Sequence, residues 1–428
     1  MIPIIRKSEI DGFIKKWKNR QERPSKKVRS VVEKILHSVQ QKGDASLYAY
    51  TLQFDSVDIE PIGLQLTYAE IEAGFQSVSQ DFLNIVRQSA ENIRHYHEKS
   101  IKTSWIDKKE DGITLGQRII PLQRIGIYVP GGRAVYPSSL IMAAVPAQVA
   151  GVEEIVVVSP PNQKGEIHPS ITATAHVMGI HEIYRIGGAQ AVAALAYGTQ
   201  TIRPVDKIVG PGNLYVAEAK RQVFGICDID MIAGPSEVVI LADDTANPDF
   251  IAADLLAQAE HDPSASSILI TTSSTLAQQV RHSIAEQICS LSRKKTIESS
   301  LKTWGGILIA EDLSHGFELV NTLAPEHLGM HIKDPQTALE NIRNAGSVFL
   351  GDYSPETVGD YWAGPNHILP TNGTARFSSP LGTEDFLKRS SLICYTKTAL
   401  QKAAEPIIAF AKMEGLDAHA NAVQKRIN

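Results

Sequence analysis

The chain has 428 residues, 43% hydrophobic and 21% charged, a balance that excludes disordered and fibrous classes and gives length for roughly two to four packed units. A formal charge of −5, from 42 basic and 47 acidic side chains, gives no reason to expect nucleic acid as a partner. Cys227, Cys289 and Cys394 stand far apart with no CxxC pair, which excludes a disulfide framework and a thiolate zinc site and fits a reducing cytoplasm.

The N-terminal stretch MIPIIRKSEIDGFIKKWKNR scatters charges through its apolar residues, so it does not read as a signal peptide. No apolar run approaches the ~20 residues a membrane span needs, and no membrane association is expected. The first ~110 residues read as mostly helical. Val28, Val31, Val32, Ile35, Leu36 and Val39 recur at helical spacing behind Pro24-Ser25. A second helix is expected from Tyr68 to His97.

From about Pro121, short β-branched runs alternate with Ala-rich helical ones. The runs at 125–130, 154–160, 182–188 and 206–212 each precede a helix. The pattern resumes at 236–244, 266–272, 305–310, 327–332 and 347–352. This is the βαβ rhythm of α/β domains with parallel strands. The expected division has a helical piece over 1–24 and one α/β domain from 25–114 with 236–380. A second α/β domain spans 115–235, and a helical tail runs over 381–428 with a break at Gly415.

Five groups of residues could carry chemistry. Glycine and proline punctuate three strand ends: Tyr128 to Arg133, Gly187 to Gln190, and Gly210 to Asn213. Ligands in open α/β sheets sit outside the carboxyl ends of strands, so these turns suit a dinucleotide, although the GxGxxG fingerprint is absent. Each turn alone also reads as an ordinary βα connection. Gln258 and His261 share one face at the end of a helix stopped by Pro263, and could hold a metal through oxygen and nitrogen. A lone His there also simply meets the last helix carbonyls.

Glu326 and His327 are adjacent at a helix-to-strand junction and suit acid–base work. Neighbours in a strand point to opposite faces, so this role needs a local bend, expected at Pro325. Asp360 and His367 lie in a Gly-, Pro- and aromatic-rich loop that could bind a ligand. Glu414 and His419 flank Gly415 and could converge. Ser236, in the turn Gly234-Pro235-Ser236-Glu237, reads as a hydrogen-bonding group rather than a nucleophile.

The segments YVPGGRAVYPSS, GGAQAVAALAYGT, VGPGN, DMIAGPSEV, LLAQAEHDP, LAPEHL, SPETVGDYWAGPNHILPT and EGLDAHANAV, over about 124–425, resemble the histidinol dehydrogenase family. The resemblance implies an α/β fold of two incomplete Rossmann-like domains, aldehyde-dehydrogenase-like, with small helical N- and C-terminal pieces, in an intertwined homodimer. It implies oxidation of L-histidinol to L-histidine with zinc and NAD, the last step of histidine biosynthesis. It also implies zinc ligands at Gln258, His261, Asp360 and His419, the last from the partner subunit, and an acid–base pair at Glu326 and His327. NAD contacts follow at Tyr128, Gln190 and Asn213. Substrate contacts follow at Ser236, His367 and Glu414 besides the metal ligands and His327. The alternatives are a dehydrogenase of another amino or hydroxy substrate, a zinc hydrolase using Glu326 on water, and a non-catalytic nucleotide-binding protein.

Overall fold

The β-branched runs form two parallel sheets, and each run is buried on both faces because helices cover both sides. The structure is a computed structural model and describes residues 2–20, 25–131 and 135–427. Pro24 and the Gly132-Arg133 part of the first glycine turn lie outside the described residues. A six-stranded sheet runs in the order Ile4–Ile5, Gly306–Ile309, Ser266–Thr271, Glu237–Ala242, His327–His331, Ser347–Leu350. A five-stranded sheet runs Glu182–Tyr184, Glu154–Val158, Arg124–Tyr128, Lys207–Val209, Asp228–Ile229. Neighbouring strands in both sheets pair parallel.

The expected partition of the N-terminal half does not hold. The helices Lys26–Lys42, Asp44–Asp55, Tyr68–Ser77 and Gln80–Glu98 were assigned with 236–380, but they cover the five-stranded sheet. Val32, Ile35 and Val39 pack with Val156, Val192 and Val216, while Leu66, Ile71 and Val86 pack with Ile125 and Ile141. An apolar stripe shows that a helix needs a partner but does not say which sheet supplies it. The described residues 2–20 of the expected 1–24 piece are likewise not separate. Ile4 pairs with Ile307 at the edge of the six-stranded sheet, and Ile10, Ile14 and Trp17 join that sheet's core.

The helix expected from Tyr68 to His97 is two, because Ser79 caps a fresh start by accepting from the Phe82 N–H at 3.2 Å. The tail is not wholly helical. Leu387–Tyr395 is a strand paired antiparallel with Ile113–Pro121, which also pairs with Trp105–Lys108. The helices Lys397–Met413 and Asp417–Ile427 follow, separated at Gly415, whose φ of 74° is the left-handed geometry that favours glycine. The strand was illegible because its residues lie almost entirely exposed, so burial leaves no alternating pattern to read. Among the described residues, no helix is long and apolar enough to cross a membrane.

His97 ends the Gln80–Glu98 helix at 3% exposure, and its Nε2 has no hydrogen-bond partner among the described residues. Burial lowers its pKa from 6.5 to about 4. The folded state therefore binds this proton less readily than the unfolded chain, and stability drains as pH falls from about 6.5 toward 4. Replacing His97 by Gln should shrink the drop in Tm between pH 7 and pH 5, measured by thermal denaturation at each pH; an unchanged drop would count against a neutral buried His97.

Candidate active site

The site forms where opposite edges of the two sheets meet. The five-stranded sheet offers its carboxyl edge, through Pro130 after Arg124–Tyr128 and Gly210 to Gly212 after Lys207–Val209. The six-stranded sheet offers its amino edge, through Ser236 before Glu237–Ala242 and Glu326 before His327–His331. Between them lies a cleft of about 350 Å³, also lined by His261, Glu356, Asp360, Tyr361 and His367. A larger cavity of about 870 Å³ shares Asp230, His327, Asp360, His367 and Leu369 with it. The first sheet follows the rule for ligands at α/β strand ends, and the second inverts it.

Glu326 and His327 converge despite being adjacent. Ala324 takes φ of 50°, so the chain turns immediately before Pro325, and the bend sits one residue earlier than expected. His327 Nδ1 lies 3.7 Å from Glu326 Oε2 and 3.5 Å from Glu356 Oε1. It also lies 3.2 Å from the Glu237 carbonyl. A carbonyl only accepts, so Nδ1 carries the proton and Nε2 keeps its lone pair. The Glu237 N–H donates to Glu326 Oε2 at 2.8 Å. Burial lowers the His327 pKa to about 3, and burial followed by the Glu237 charge holds the Glu326 carboxyl well above its usual range.

Gln258 is fully buried in the last turn of the Pro248–Ala259 helix, with His261 just beyond that helix on the cleft. With its amide turned so that the nitrogen faces acceptors and the oxygen faces a donor, Gln258 would donate to both Glu356 oxygens, at 3.0 and 2.7 Å, and accept from the Glu237 N–H at 3.3 Å. One lone pair on that oxygen stays available. Glu356 and Asp360 stand at i, i+4 on the Glu356–Tyr361 helix, so both project from one face. One donor atom each from His261, Glu356 and Asp360 lies within 4.8 Å of the others. Burial raises Asp360 to about 6, and burial, then Asp360 and Glu326, raises Glu356 well above the carboxylate range.

Such a crowd of buried acids fits a divalent cation, and its nitrogen and oxygen donors favour the harder metals. The carboxyl end of the Pro248–Ala259 helix adds partial negative charge worth ~0.3–1 kcal/mol to a cation there. His367 frames the other side. Its Nδ1 donates to the Asp360 carbonyl at 3.0 Å, so its Nε2 accepts from Ser139 Oγ at 3.2 Å.

None of the three expected cofactor contacts, Tyr128, Gln190 and Asn213, is among the residues that line the cleft. Tyr128 is core-packed with its hydroxyl accepting from the Gly188 N–H at 3.0 Å. Burial raises its pKa to about 12. Gln190 is 1% exposed, and its Oε1 has no partner among the described residues. Asn213 caps the Leu214–Val223 helix, accepting from Tyr215 and Val216 at 2.9 and 3.1 Å. Gly210 is required where it stands, because a Cβ there would meet the Tyr128 carbonyl at 2.2 Å. Glu414 and His419 are exposed at the Gly415 break and do not line the cleft of their own chain.

The family model for histidinol dehydrogenase matches residues 18–427. The chain is 51% identical to the histidinol dehydrogenase of Bacillus subtilis over 399 residues, 93% of each protein. It is 48% identical to that of Clostridium acetobutylicum over 428 residues, covering 100% of this chain and 99% of the relative. The chain belongs to the histidinol dehydrogenase family. The crystal structure of histidinol dehydrogenase from Elizabethkingia anophelis superimposes with TM-score 0.94 at 35% identity, covering 100% of this chain and 98% of that one. An acetylating aldehyde dehydrogenase from Geobacillus thermoglucosidasius shares the fold, with TM-score 0.51 at 11% identity over 91% of this chain and 96% of its own.

Two residues of the site were missed by sequence reasoning. Glu356 was legible in principle, since SPETVGD places it four residues before Asp360 on any helical reading. Glu237 was not, because what it offers the site is its backbone. Titration of purified protein with Zn²⁺ should show binding that weakens ~10-fold or more in His261→Ala, Asp360→Asn and Glu356→Gln, followed by calorimetry. Wild-type affinity in Glu356→Gln would remove that carboxylate from the cation site.

Proposed function

We propose that this protein oxidises L-histidinol to L-histidine through L-histidinaldehyde, in two successive NAD-dependent hydride transfers. The reading places it at the last step of histidine biosynthesis, in the cytoplasm, where its unpaired cysteines are at home. One observation carries the mechanism: His327 is held with Nε2 unprotonated beside Glu326 and the His261–Glu356–Asp360 cluster.

Gln258, His261 and Asp360, with His419 of the partner subunit, would hold zinc, and Glu356 would keep the Gln258 amide aimed. Bound zinc supplies a fixed Lewis-acid template for the substrate's imidazole and amine. Bound NAD supplies the hydride acceptor, twice per substrate because alcohol to acid removes four electrons. Tyr128, Gln190 and Asn213, at or just after strand ends of the five-stranded sheet, would contact NAD. Ser236, His367 and Glu414 contact substrate.

His327 Nε2 takes the hydroxyl proton as the first hydride leaves carbon. The aldehyde then needs a nucleophile before it can give up a second hydride. None of Cys227, Cys289 and Cys394 lines the cleft, so no thiol is placed to add. Glu326 takes a proton from water as its oxygen adds to the aldehyde carbon. His327 takes the hydrate proton as the second hydride leaves. The balance is one alcohol, two NAD⁺ and one water giving one carboxylate, two NADH and three protons.

The strand Leu387–Tyr395 and the helices after it expose Ile393, Phe410 and Met413 at 73%, 67% and 87%. Such an apolar arm suits an intertwined homodimer that delivers Glu414 and His419 across the interface. Purified enzyme should form two NADH per histidine from L-histidinol and lose turnover on chelation, with Zn²⁺ restoring it. Equal turnover of other amino alcohols would replace the substrate while keeping the chemistry. Glu326→Gln should leave alcohol oxidation and slow aldehyde oxidation ~10²–10⁴-fold; the reverse pattern would exchange the two roles. Mixed dimers of Asp360→Asn with His419→Asn, each inactive alone, should regain activity, since one site then has both native residues. No regain would place His419 outside the partner's site.

A further inference from the structure

We infer that Arg20 and Glu237 form a buried positioning pair that aligns the catalytic residues through the backbone of Glu237. The inference rests on the roles given to Glu326 and His327 under Proposed function. Three observations lead to it. First, Glu237 meets both catalytic residues with backbone groups: its N–H donates to Glu326 Oε2 at 2.8 Å, and its carbonyl accepts from His327 Nδ1 at 3.2 Å. Whatever fixes Glu237 fixes the direction of the Glu326 carboxylate and the tautomer of His327.

Second, the Glu237 side chain does not line the cleft; its carboxylate pairs with Arg20, and the backbone N–H groups of Gly373, Glu326 and Asn372 also face it. The two side chains are 1% and 2% exposed. Third, Arg20 is itself clamped. Its guanidinium reaches the carbonyls of Ser264 and Pro235, each at 3.4 Å, and lies over the Trp17 ring at 5.1 Å. Trp17 in turn donates from Nε1 to Ser266 Oγ at 2.8 Å. The N-terminal helix Ile10–Lys18 thus delivers one cation beneath the start of the strand that carries the catalytic hydrogen bonds.

An ion pair so placed is not a surface ornament. Removing the cation leaves a buried carboxylate with backbone N–H groups but no counter-charge, which must turn toward water or take a proton. Turning would drag the 236–238 backbone with it and release both catalytic hydrogen bonds. Neither Arg20 nor the Glu237 carboxylate touches substrate in this account, so both are positioning groups.

Steady-state kinetics on the full-length zinc-loaded enzyme test this. Arg20→Met should lower kcat ~10-fold or more with KM for L-histidinol within about twofold of wild type. Arg20→Lys keeps the charge and should keep most of the turnover. The double variant Arg20→Met/Glu237→Gln removes both charges and should recover kcat to within about threefold of wild type, the signature of a coupled pair. Ile14→Ala loosens the same helix without touching the charge, and should lower Tm while sparing kcat. Wild-type kcat in Arg20→Met overturns the inference, and so does a double variant as slow as the single. If Arg20→Met does not fold, Arg20→Lys and the double variant carry the test, and a kcat below a tenth of wild type in either overturns it. Glu326→Gln measured alongside separates the two readings. Full turnover there ends the catalytic-pair reading, whereas a slow Glu326→Gln beside a wild-type Arg20→Met ends this inference alone.

Discussion

Glu237, Glu326, Glu356 and Asp360 crowd into one water-poor junction, and acids so placed cannot all stay charged without cations. Among the described residues, Arg20 supplies a cation from below, buried against Glu237. The remaining acids face the cleft, where His261 and the carboxyl end of the Pro248–Ala259 helix add further groups suited to a cation. Breaking a buried pair such as Arg20–Glu237 costs ~3–5 kcal/mol, against ~0–1 for an exposed pair such as Lys7–Glu311. The buried charges therefore dominate, and the scattered surface pairs do not shape the site.

The fold explains why this crowding is possible. A parallel sheet gathers the starts of several strands at one edge, and helices antiparallel to the strands end there too. Glu237, Glu326, His327, Gln258 and His261 come from strand starts and a helix end that meet only because the six-stranded sheet is parallel. The opposing five-stranded sheet presents Pro130 and the Gly210 to Gly212 turn, where Gly210 lets the backbone pass close to the Tyr128 carbonyl. Opposite edges facing each other put a rigid wall on both sides of the cleft, with the Glu356–Tyr361 helix as a third side.

Much of this was legible from residues. The β-branched runs at 125–130 and 236–244 became central strands because nothing but a doubly covered sheet accepts such continuous apolar stretches. Gln258 with His261, and Glu326 with His327, were legible as local spacings. Their convergence was not, since it depends on Ala324 turning the chain and on strand order, which no short pattern encodes. The packing of Lys26–Lys42 on the five-stranded sheet stayed hidden because long-range packing leaves little local trace, and the strand Leu387–Tyr395 because its exposure leaves no alternation to read. Glu237 shows the deepest limit. A strand-start glutamate looks like a surface residue, and the charge of Arg20, from 217 residues away, together with backbone N–H groups of Gly373, Glu326 and Asn372, makes its burial tolerable.

The opposed shifts of Glu326 and His327 follow from the same burial. Desolvation disfavours the charged form of each group, so it lowers His327 to about 3 and lifts Glu326. A neutral imidazole at working pH has its lone pair ready, and it makes a strong acid once protonated, fit to hand the proton on. A lifted carboxylate is a stronger base than an exposed one, which suits taking a proton from water. That advantage exists only if Glu326 is ionised when water arrives, and positive charge near the cleft moves it in that direction. Arg20 acts on Glu326 in this sense already. A divalent cation held by His261 and Asp360 would act the same way from the other side, so one device would orient substrate and ready the base. Two groups tuned in opposite directions by one environment can serve two proton transfers in turn, which is what an alcohol-to-acid oxidation asks of a single cleft.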